Sequence, residues 1–128
     1  MSRIVLDASA MLALIHEEPG CENLTPELLA KATIGTVNLA EVQSKLVSLG
    51  WPPEEAWADA IGMVPEVEPF IAGQARTAGD LIAKTRSLGL SLGDRACLAL
   101  ALSLNAPVYT ADRSWKNLNV GVRIHVIR

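Results

Sequence analysis

The stretch RIVLDAS, residues 3–9, decides the fold, because a short apolar run leads directly into an acid and small helix-forming residues. Residues 4–6 (IVL) form a continuous apolar run, which is typical of a strand in a parallel sheet covered on both faces. Asp7 ends this run, and the helix formers of AMLALIHEE, residues 10–18, continue until the Pro-Gly pair at 19–20. The chain therefore opens with a strand followed at once by a helix.

The same alternation of strand and helix patterns continues to the end of the chain. Strands alternating with helices imply right-handed crossovers and a parallel sheet, so we predict an α/β fold of three layers, an α/β/α sandwich. Strands are predicted near the start of 33–50, at 67–70, in 106–112 and in 122–127. Pro69 would keep the strand at 67–70 at or near an edge of the sheet. A helix is predicted to begin at Pro26, and another fills the remainder of 33–50, where Leu39, Val42, Leu46 and Leu49 are at helical spacing. A further helix is predicted from Pro52 to Ala60. Two more are predicted in 72–89 and 91–105, separated by a break at Gly89.

Size and composition favour one folded domain over residues 1–128. Half of the 128 residues are hydrophobic, which is enough to build a core in a chain of this length. Asp7 interrupts the apolar opening and no stretch approaches the ~20 apolar residues of a membrane span, so we expect a soluble, cytoplasmic protein. Cys21 and Cys97 are the two cysteines, and with two histidines they leave little material for a disulfide framework, a zinc site or a Ser/His/Asp arrangement.

Four acids follow predicted strands or begin predicted helices. Asp7 and Asp112 come after strands, while Glu41 and Asp94 fall in what we predict to be the first turns of their helices. Because active sites of open α/β sheets form at the carboxyl edge, these four carboxylates are predicted to converge there. Ser9 lies just after the first acid.

Each acid also has an ordinary structural explanation. The pairs Asn38–Glu41 and Ser91–Asp94 match the spacing of a capping box, and Asp7 is a possible N-cap. Asp112 is another possible N-cap, favoured by the helix dipole. Glu41 is also followed four residues later by Lys45, which is the spacing of a surface ion pair.

The surroundings of Asp94 favour a functional role. Apolar residues follow it three, four, seven and eight positions later, which places its carboxylate above a buried stripe. Four acids gathered at one edge would repel each other unless divalent cations neutralised them, and oxygen ligands select magnesium or manganese. Such a cluster can activate water for phosphodiester hydrolysis. The net charge of −3 is unusual for a protein that binds nucleic acid, but two bound divalent ions would bring it to +1.

Four strings stand in a fixed order along the chain: IVLDASAMLAL at residues 4–14, NLAEV at 38–42, SLGDRACLALAL at 91–102 and VYTADRSW at 108–115. Their combination resembles the PIN domain, specifically the VapC-type toxin ribonucleases. The likeness spans nearly the whole chain. It implies a PIN-like sandwich and an endoribonuclease dependent on Mg2+ or Mn2+.

The resemblance also implies roles for particular residues and partners. Metal-site roles carry over to Asp7, Glu41, Asp94 and Asp112, with Thr110 as a supporting hydroxyl. Ser9 is expected either to support the site similarly or only to face the first helical turn. The resemblance further implies a homodimer, an RNA substrate and a cognate VapB-type antitoxin that covers the site.

Three neighbouring side chains have two explanations each. Arg95 and Arg113, next to proposed ligands, either contact RNA phosphates or balance charge. Trp115 either stacks on a base or packs inside the domain, and packing is commoner for a lone tryptophan.

Other classes of function fit the residues less well. A receiver domain needs adjacent acids near its start and a lysine after a late strand, and a haloacid-dehalogenase-like phosphatase needs an acid where this chain has Ser9. The remaining alternative is a catalytically inactive PIN-like module that binds RNA or protein. The presence of all four acids opposes it.

Overall fold

Five strands form a single parallel sheet in the computed structural model, which describes residues 2–128. Met1, the first residue of the predicted domain, lies outside the described residues. The strands are β1 (Ile4–Leu6), β2 (Ala32–Gly35), β3 (Glu66–Glu68), β4 (Val108–Thr110) and β5 (Ile124–Val126). Their order across the sheet is β3-β2-β1-β4-β5, and every neighbouring pair is parallel. The predicted strands and the parallel sheet are confirmed, and β3 is an edge strand that ends before Pro69.

In the described part of the chain, residues 2–128, seven α-helices connect and cover the strands. They are α1 (Ala8–Ile15), α2 (Pro26–Leu29), α3 (Thr36–Ser48), α4 (Pro53–Gly62), α5 (Ala72–Asp80), α6 (Ile82–Thr85) and α7 (Leu92–Leu104), with single 3-10 turns at Cys21–Asn23, Arg86–Leu88 and Arg113–Asn117. Helices α1, α3 and α4 contact one another, and α5 packs on α7.

Two buried apolar clusters lie on opposite faces of the sheet. Leu6 and Ile34 contribute to the cluster shared with α1, α3 and α4. Val5 and Val108 contribute to the other cluster, which includes Trp115 and much of α7. Because side chains of a strand alternate between faces, neighbours such as Val5 and Leu6 enter different layers. This arrangement confirms the three-layer α/β/α sandwich.

Several helix limits differ from the predicted ones. Helix α1 ends at Ile15 rather than near residue 18, and Glu17 adopts a φ of 53°. The predicted helix over 72–89 is divided after Asp80, and Gly89 with a φ of 67° separates it from α7 as predicted. Leu49 was expected on the apolar face of α3, but it lies beyond the helix and is 54% exposed.

The chain order places several acids at one edge of the sheet. Asp7 directly follows β1, and Asp112 lies two residues after β4. Helix α3 begins immediately after β2, so its first turns also lie at the carboxyl edge.

Among the helices of residues 2–128, none is long and apolar enough to cross a membrane.

Candidate active site

Asp7 is the most enclosed of the four acids. It is the N-cap of α1, where its Oδ1 accepts a 2.8 Å hydrogen bond from the backbone N–H of Ala10. The Ser9 hydroxyl donates to the same oxygen at 2.8 Å, and the Thr110 hydroxyl donates to Oδ2 at 2.5 Å. The predicted capping geometry is therefore present, and two hydroxyls hold the carboxylate in addition.

Both of these hydroxyls are oriented by the chain that follows β4. The backbone N–H of Ala111 donates to Ser9 Oγ at 2.9 Å, and that of Asp112 donates to Thr110 Oγ1 at 3.0 Å. Each hydroxyl accepts a backbone hydrogen and also lies within hydrogen-bond distance of Asp7, to which it can donate its single proton. The end of β4 thus fixes the Asp7 carboxylate through Ser9 and Thr110.

Burial makes the charged form of Asp7 costly. It raises the pKa of Asp7 from 3.8 to about 6, although hydrogen bonds from Thr110, Ala10 and Ser9 act to lower it. Repulsion from Asp94 contributes to the rise. The two carboxylates are thus near enough to interact, as their predicted convergence requires.

Asp94 lies in the first turn of α7, as predicted. Ser91 is the N-cap, and its hydroxyl accepts a 3.1 Å hydrogen bond from the Asp94 N–H. Asp94 Oδ2 accepts a 2.9 Å bond from the Ser91 N–H, which completes the capping box. The capping interpretation of Asp94 is therefore confirmed. The capping bond uses the Oδ2 oxygen of its carboxylate, and no described residue donates a hydrogen bond to the other oxygen, Oδ1.

Glu41 is held by a contact that sequence spacing does not describe. Asn38 Nδ2 donates to Glu41 Oε1 at 2.8 Å and to the carbonyl oxygen of Gly93 at 3.0 Å. Asn38 is only 2% exposed, so its amide joins α3 to the start of α7 in a buried setting. The missing side chain at Gly93 leaves the space that the Glu41 carboxylate occupies.

Three expectations for Glu41 are wrong. Helix α3 starts at Thr36, with Gly35 as N-cap, so Glu41 lies in the second turn rather than the first. Asn38 is inside the helix and is not an N-cap. Within residues 2–128, Glu41 also forms no ion pair with Lys45, because the carboxylate turns towards Asn38 and Gly93.

Asp112 lies at the exposed end of the site. It is the N-cap of the 3-10 turn Arg113–Asn117, and its Oδ1 accepts bonds from the Ser114 N–H at 2.9 Å and the Ser114 hydroxyl at 2.7 Å. This confirms its predicted capping geometry. Thr110 links Asp112 to Asp7, since its hydroxyl oxygen accepts from the Asp112 N–H and donates to Asp7.

Charges on three of the acids act on one buried thiol. The pKa of Cys97 lies well above its ordinary value, mainly because the thiol is buried, and charges on Asp7, Asp94 and Glu41 raise it further. Cys97 is a free, buried cysteine. The Glu41 carboxylate lies against Gly93, the residue before Asp94, so these two acids are neighbours at the start of α7.

The donor chemistry of this cluster fits a hard divalent cation. All four acids offer carboxylate oxygens, the ligands that magnesium and manganese prefer. Within residues 2–128, no three His, Cys, Asp or Glu side chains already stand in an arrangement that encloses a metal ion. Asp94 Oδ1 and Glu41 Oε2 accept no hydrogen bond from the described residues, so these oxygens are available as ligands.

Two nearby side chains have structural roles. Arg95 Nη1 donates to the carbonyl oxygen of Ala78 at 2.8 Å, so its side chain joins α7 to α5. Trp115 is 1% exposed and belongs to the apolar cluster. Packing of Trp115 is thus confirmed, and base stacking by this residue is wrong.

A parallel sheet with carboxylates gathered at its carboxyl edge belongs to the class of open α/β proteins that bind ligands at that edge. Within this class, the model of the PIN domain matches residues 4–120, and the chain belongs to the PIN domain family. Among curated protein sequences, none matches the chain.

Solved structures show the same fold at low sequence identity. The DNA-bound VapBC of Salmonella typhimurium is similar to this chain with a TM-score of 0.76 and 18% sequence identity, and the match covers 100% of both chains. VapBC2 from Rickettsia felis, bound to a promoter DNA fragment, has a TM-score of 0.72 and 24% identity, covering 95% of this chain and 96% of that one. VapC20 of Mycobacterium tuberculosis, a toxin that cleaves the sarcin-ricin loop, has a TM-score of 0.72 and 19% identity, covering 94% and 98%.

Proposed function

We propose that this chain is a metal-dependent endoribonuclease that acts as the toxin of a toxin–antitoxin pair. The observation that carries the proposal is that Asp7 follows β1 at the carboxyl edge of the sheet, while the Asn38 amide bonds both Glu41 and the carbonyl oxygen of Gly93, the residue before Asp94. Membership of the PIN domain family and the fold shared with VapBC complexes and a sarcin-ricin-loop-cleaving toxin support it.

Magnesium or manganese would supply a polarised water and offset the negative charge of the phosphodiester. Asp7 and Asp94 would hold the ion, with Glu41 and Asp112 completing the acidic quartet. The chain's own task is to keep these carboxylates in place. Thr110 and Ser9 hold Asp7, Asn38 holds Glu41, and Ser91 holds Asp94.

The proposal includes an RNA substrate, a VapB-type antitoxin and a homodimer. Exposed apolar side chains support protein partners, because such groups gain free energy when they are covered. Trp57 and Ile61 lie one turn apart on α4 and are 45% and 40% exposed. Ile71 and Leu102 are 56% and 37% exposed and line a cleft of about 300 Å³ beside α5 and α7. The mass of the purified protein in solution, alone and with its antitoxin, tests both partners.

RNA cleavage by purified, antitoxin-free protein tests the enzymatic proposal. We expect cleavage with magnesium or manganese, products with 3′-hydroxyl and 5′-phosphate ends, and no cleavage in EDTA. Asp94→Asn is expected to lower the rate at least about 100-fold, because even residues that only support metal ligands often contribute 10- to 100-fold. Asp59→Asn, which makes the same charge change at an exposed position on α4, is the matched control.

The results separate the two candidate functions. Cleavage that persists in EDTA, or that is equal in Asp94→Asn and Asp59→Asn, would contradict the metal mechanism and indicate a contaminating nuclease. A folded wild-type protein that binds RNA but never cleaves it would instead favour the inactive PIN-like module.

A further inference from the structure

Two clefts continue from the acidic site towards the β5 edge of the sheet. The first, of about 550 Å³, is lined by Ser9, Pro19, Ala111, Asp112, Arg113 and Arg128. The second, of about 620 Å³, shares Arg113 and Arg128 and adds Lys116, Ile124, His125 and Val126. Because Arg113 and Arg128 line both clefts, the clefts are adjacent, and together they form a surface that begins at Asp112. We name this surface the basic groove, after Arg113, Lys116, His125 and Arg128.

The basic groove concentrates positive charge in a protein whose net charge is −3. It holds three of the chain's 11 lysines and arginines. Arg113 and Lys116 are exposed, and within residues 2–128 neither forms an ion pair with an Asp or Glu side chain. Arg113 Nε donates to the backbone oxygen of Arg128 at 3.4 Å, and Arg128 Nη1 lies 3.8 Å from Glu18 Oε1. Arg113 and Lys116 can therefore bind a ligand without breaking an ion pair with an acidic side chain.

The groove is built on fixed parts of the fold. The 3-10 turn that carries Arg113 and Lys116 also contains Trp115, which is 1% exposed and anchors the turn in the core. Arg128 Nε donates to the carbonyl oxygen of Ala111 at 3.0 Å. On the β5 side, the His125 ring stacks on Tyr109 at 4.6 Å with 14° between the planes. The positions of these groups are thus set by the structure before any ligand arrives.

We infer that the basic groove binds the phosphate backbone of the RNA strand on one side of the bond that is cut. This inference rests on the proposed function. An acidic site repels phosphate, so a polyanionic substrate needs cations beside the carboxylates to hold it. The groove supplies them along a path that starts at Asp112 itself. An acidic peptide of a partner protein is the competing occupant, but nothing in its chemistry requires continuity with the acidic site.

Metal-free binding of a fluorescent, unstructured RNA tests the inference without cleavage. The probe is an oligouridine of about 12 nucleotides, a length within the range of single-strand sites. Binding is followed by anisotropy in EDTA over roughly 50 to 200 mM salt. Each lost phosphate contact is expected to reduce the slope of log K against log salt by about 0.7, which is about a fivefold loss at 0.1 M.

Matched charge changes separate the groove from general electrostatics. Arg113→Gln and Lys116→Gln are each expected to lower the slope by about 0.7, and the double variant by about twice that. Arg76→Gln is the control, because the Arg76 side chain is 88% exposed on α5 and, among the described residues, its one ion pair is with Asp80. Circular dichroism and melting temperature verify that each variant is folded.

The outcomes are distinct from those of the enzymatic test. An unchanged slope in the double groove variant, or an equal loss in Arg76→Gln, would overturn the inference. Groove variants that bind RNA normally but lose a protein partner would also overturn it and assign the groove to the partner. If the salt-dependence slopes change as expected but the protein never cleaves RNA, the result would support RNA binding by the basic groove and contradict the proposed function.

Discussion

The carboxylate of Glu41 fills the space beside Gly93 that any larger side chain would need. A Cβ at Gly93 would stand 2.3 Å from Glu41 Oε2, closer than real Cβ atoms approach a neighbour. The obstructed group is the end of a flexible side chain rather than backbone, so the fold can tolerate the change while Glu41 moves. Gly93 is therefore a positioning residue that acts through Glu41.

We predict that Gly93→Ala separates activity from stability. Alanine favours helices over glycine by up to about 1 kcal/mol, so the free energy of unfolding is expected to be equal or higher. Displacement of Glu41 is expected to lower the RNA cleavage rate about 10-fold or more. Gly73→Ala is the control, because Gly73 is likewise the second residue of a helix and a Cβ there meets no atom within 4 Å. Equal activity of the two variants would refute the role of Gly93.

A second prediction concerns the pH dependence of folding in the metal-free protein. Because the pKa of Asp7 is raised from 3.8 to about 6, the folded state retains a proton that the unfolded state loses between these values. The free energy of unfolding should therefore fall as pH rises from about 4 to about 6, by about 3 kcal/mol at most from this group.

Urea unfolding in EDTA across this pH range measures the effect. Asp7→Asn is expected to remove this component, because the amide does not titrate, whereas Asp59→Asn on the exposed face of α4 retains it. If the free energy of unfolding of the Asp7→Asn variant falls with rising pH as steeply as that of the wild type, the effect does not come from Asp7.

The Thr110 hydroxyl is expected to be important for activity beyond its part in stability. Thr110→Val removes the donor to Asp7 Oδ2 and the acceptor for the Asp112 N–H. Thr33→Val is a matched control, since Thr33 is equally buried in the sheet and donates to the Glu66 carbonyl oxygen at 3.1 Å. Both variants should lose about 1–3 kcal/mol of unfolding free energy.

Cleavage assays distinguish the two threonines. Only Thr110→Val is expected to lower the cleavage rate, by about 10- to 100-fold, because only Thr110 contacts a proposed metal ligand. A similar fall in Thr33→Val would show that lost stability, rather than the orientation of Asp7, explains the effect.

The strands, the parallel sheet and the positions of Asp7 and Asp112 could be predicted because local patterns determine them. The apolar run before Asp7 marks β1, and Pro69 limits β3 to an edge. The break after Asp80 could not be predicted in the same way, because no glycine or proline follows there to mark it.

The contacts within the site were less predictable because they join distant parts of the chain. Asn38 and Gly93 are 55 residues apart, and the sequence does not show that the Asn38 amide bonds the Gly93 carbonyl oxygen as well as Glu41. Nor does any pattern near Gly93 show that its missing side chain leaves space for Glu41. The capping role of Asp94 and its position above buried residues could both be predicted, since the capping box and the apolar stripe that follows it are local patterns.

A manganese-soaked crystal tests the central claim, that Asp7 and Asp94 together hold a divalent cation. The measurement is an anomalous difference map recorded above the manganese absorption edge, for the wild type and for Asp94→Asn. We predict a peak between the Asp7 and Asp94 carboxylates in the wild type and its loss in the variant. A wild-type map without manganese between these two residues, or an undiminished peak in Asp94→Asn, would contradict the account.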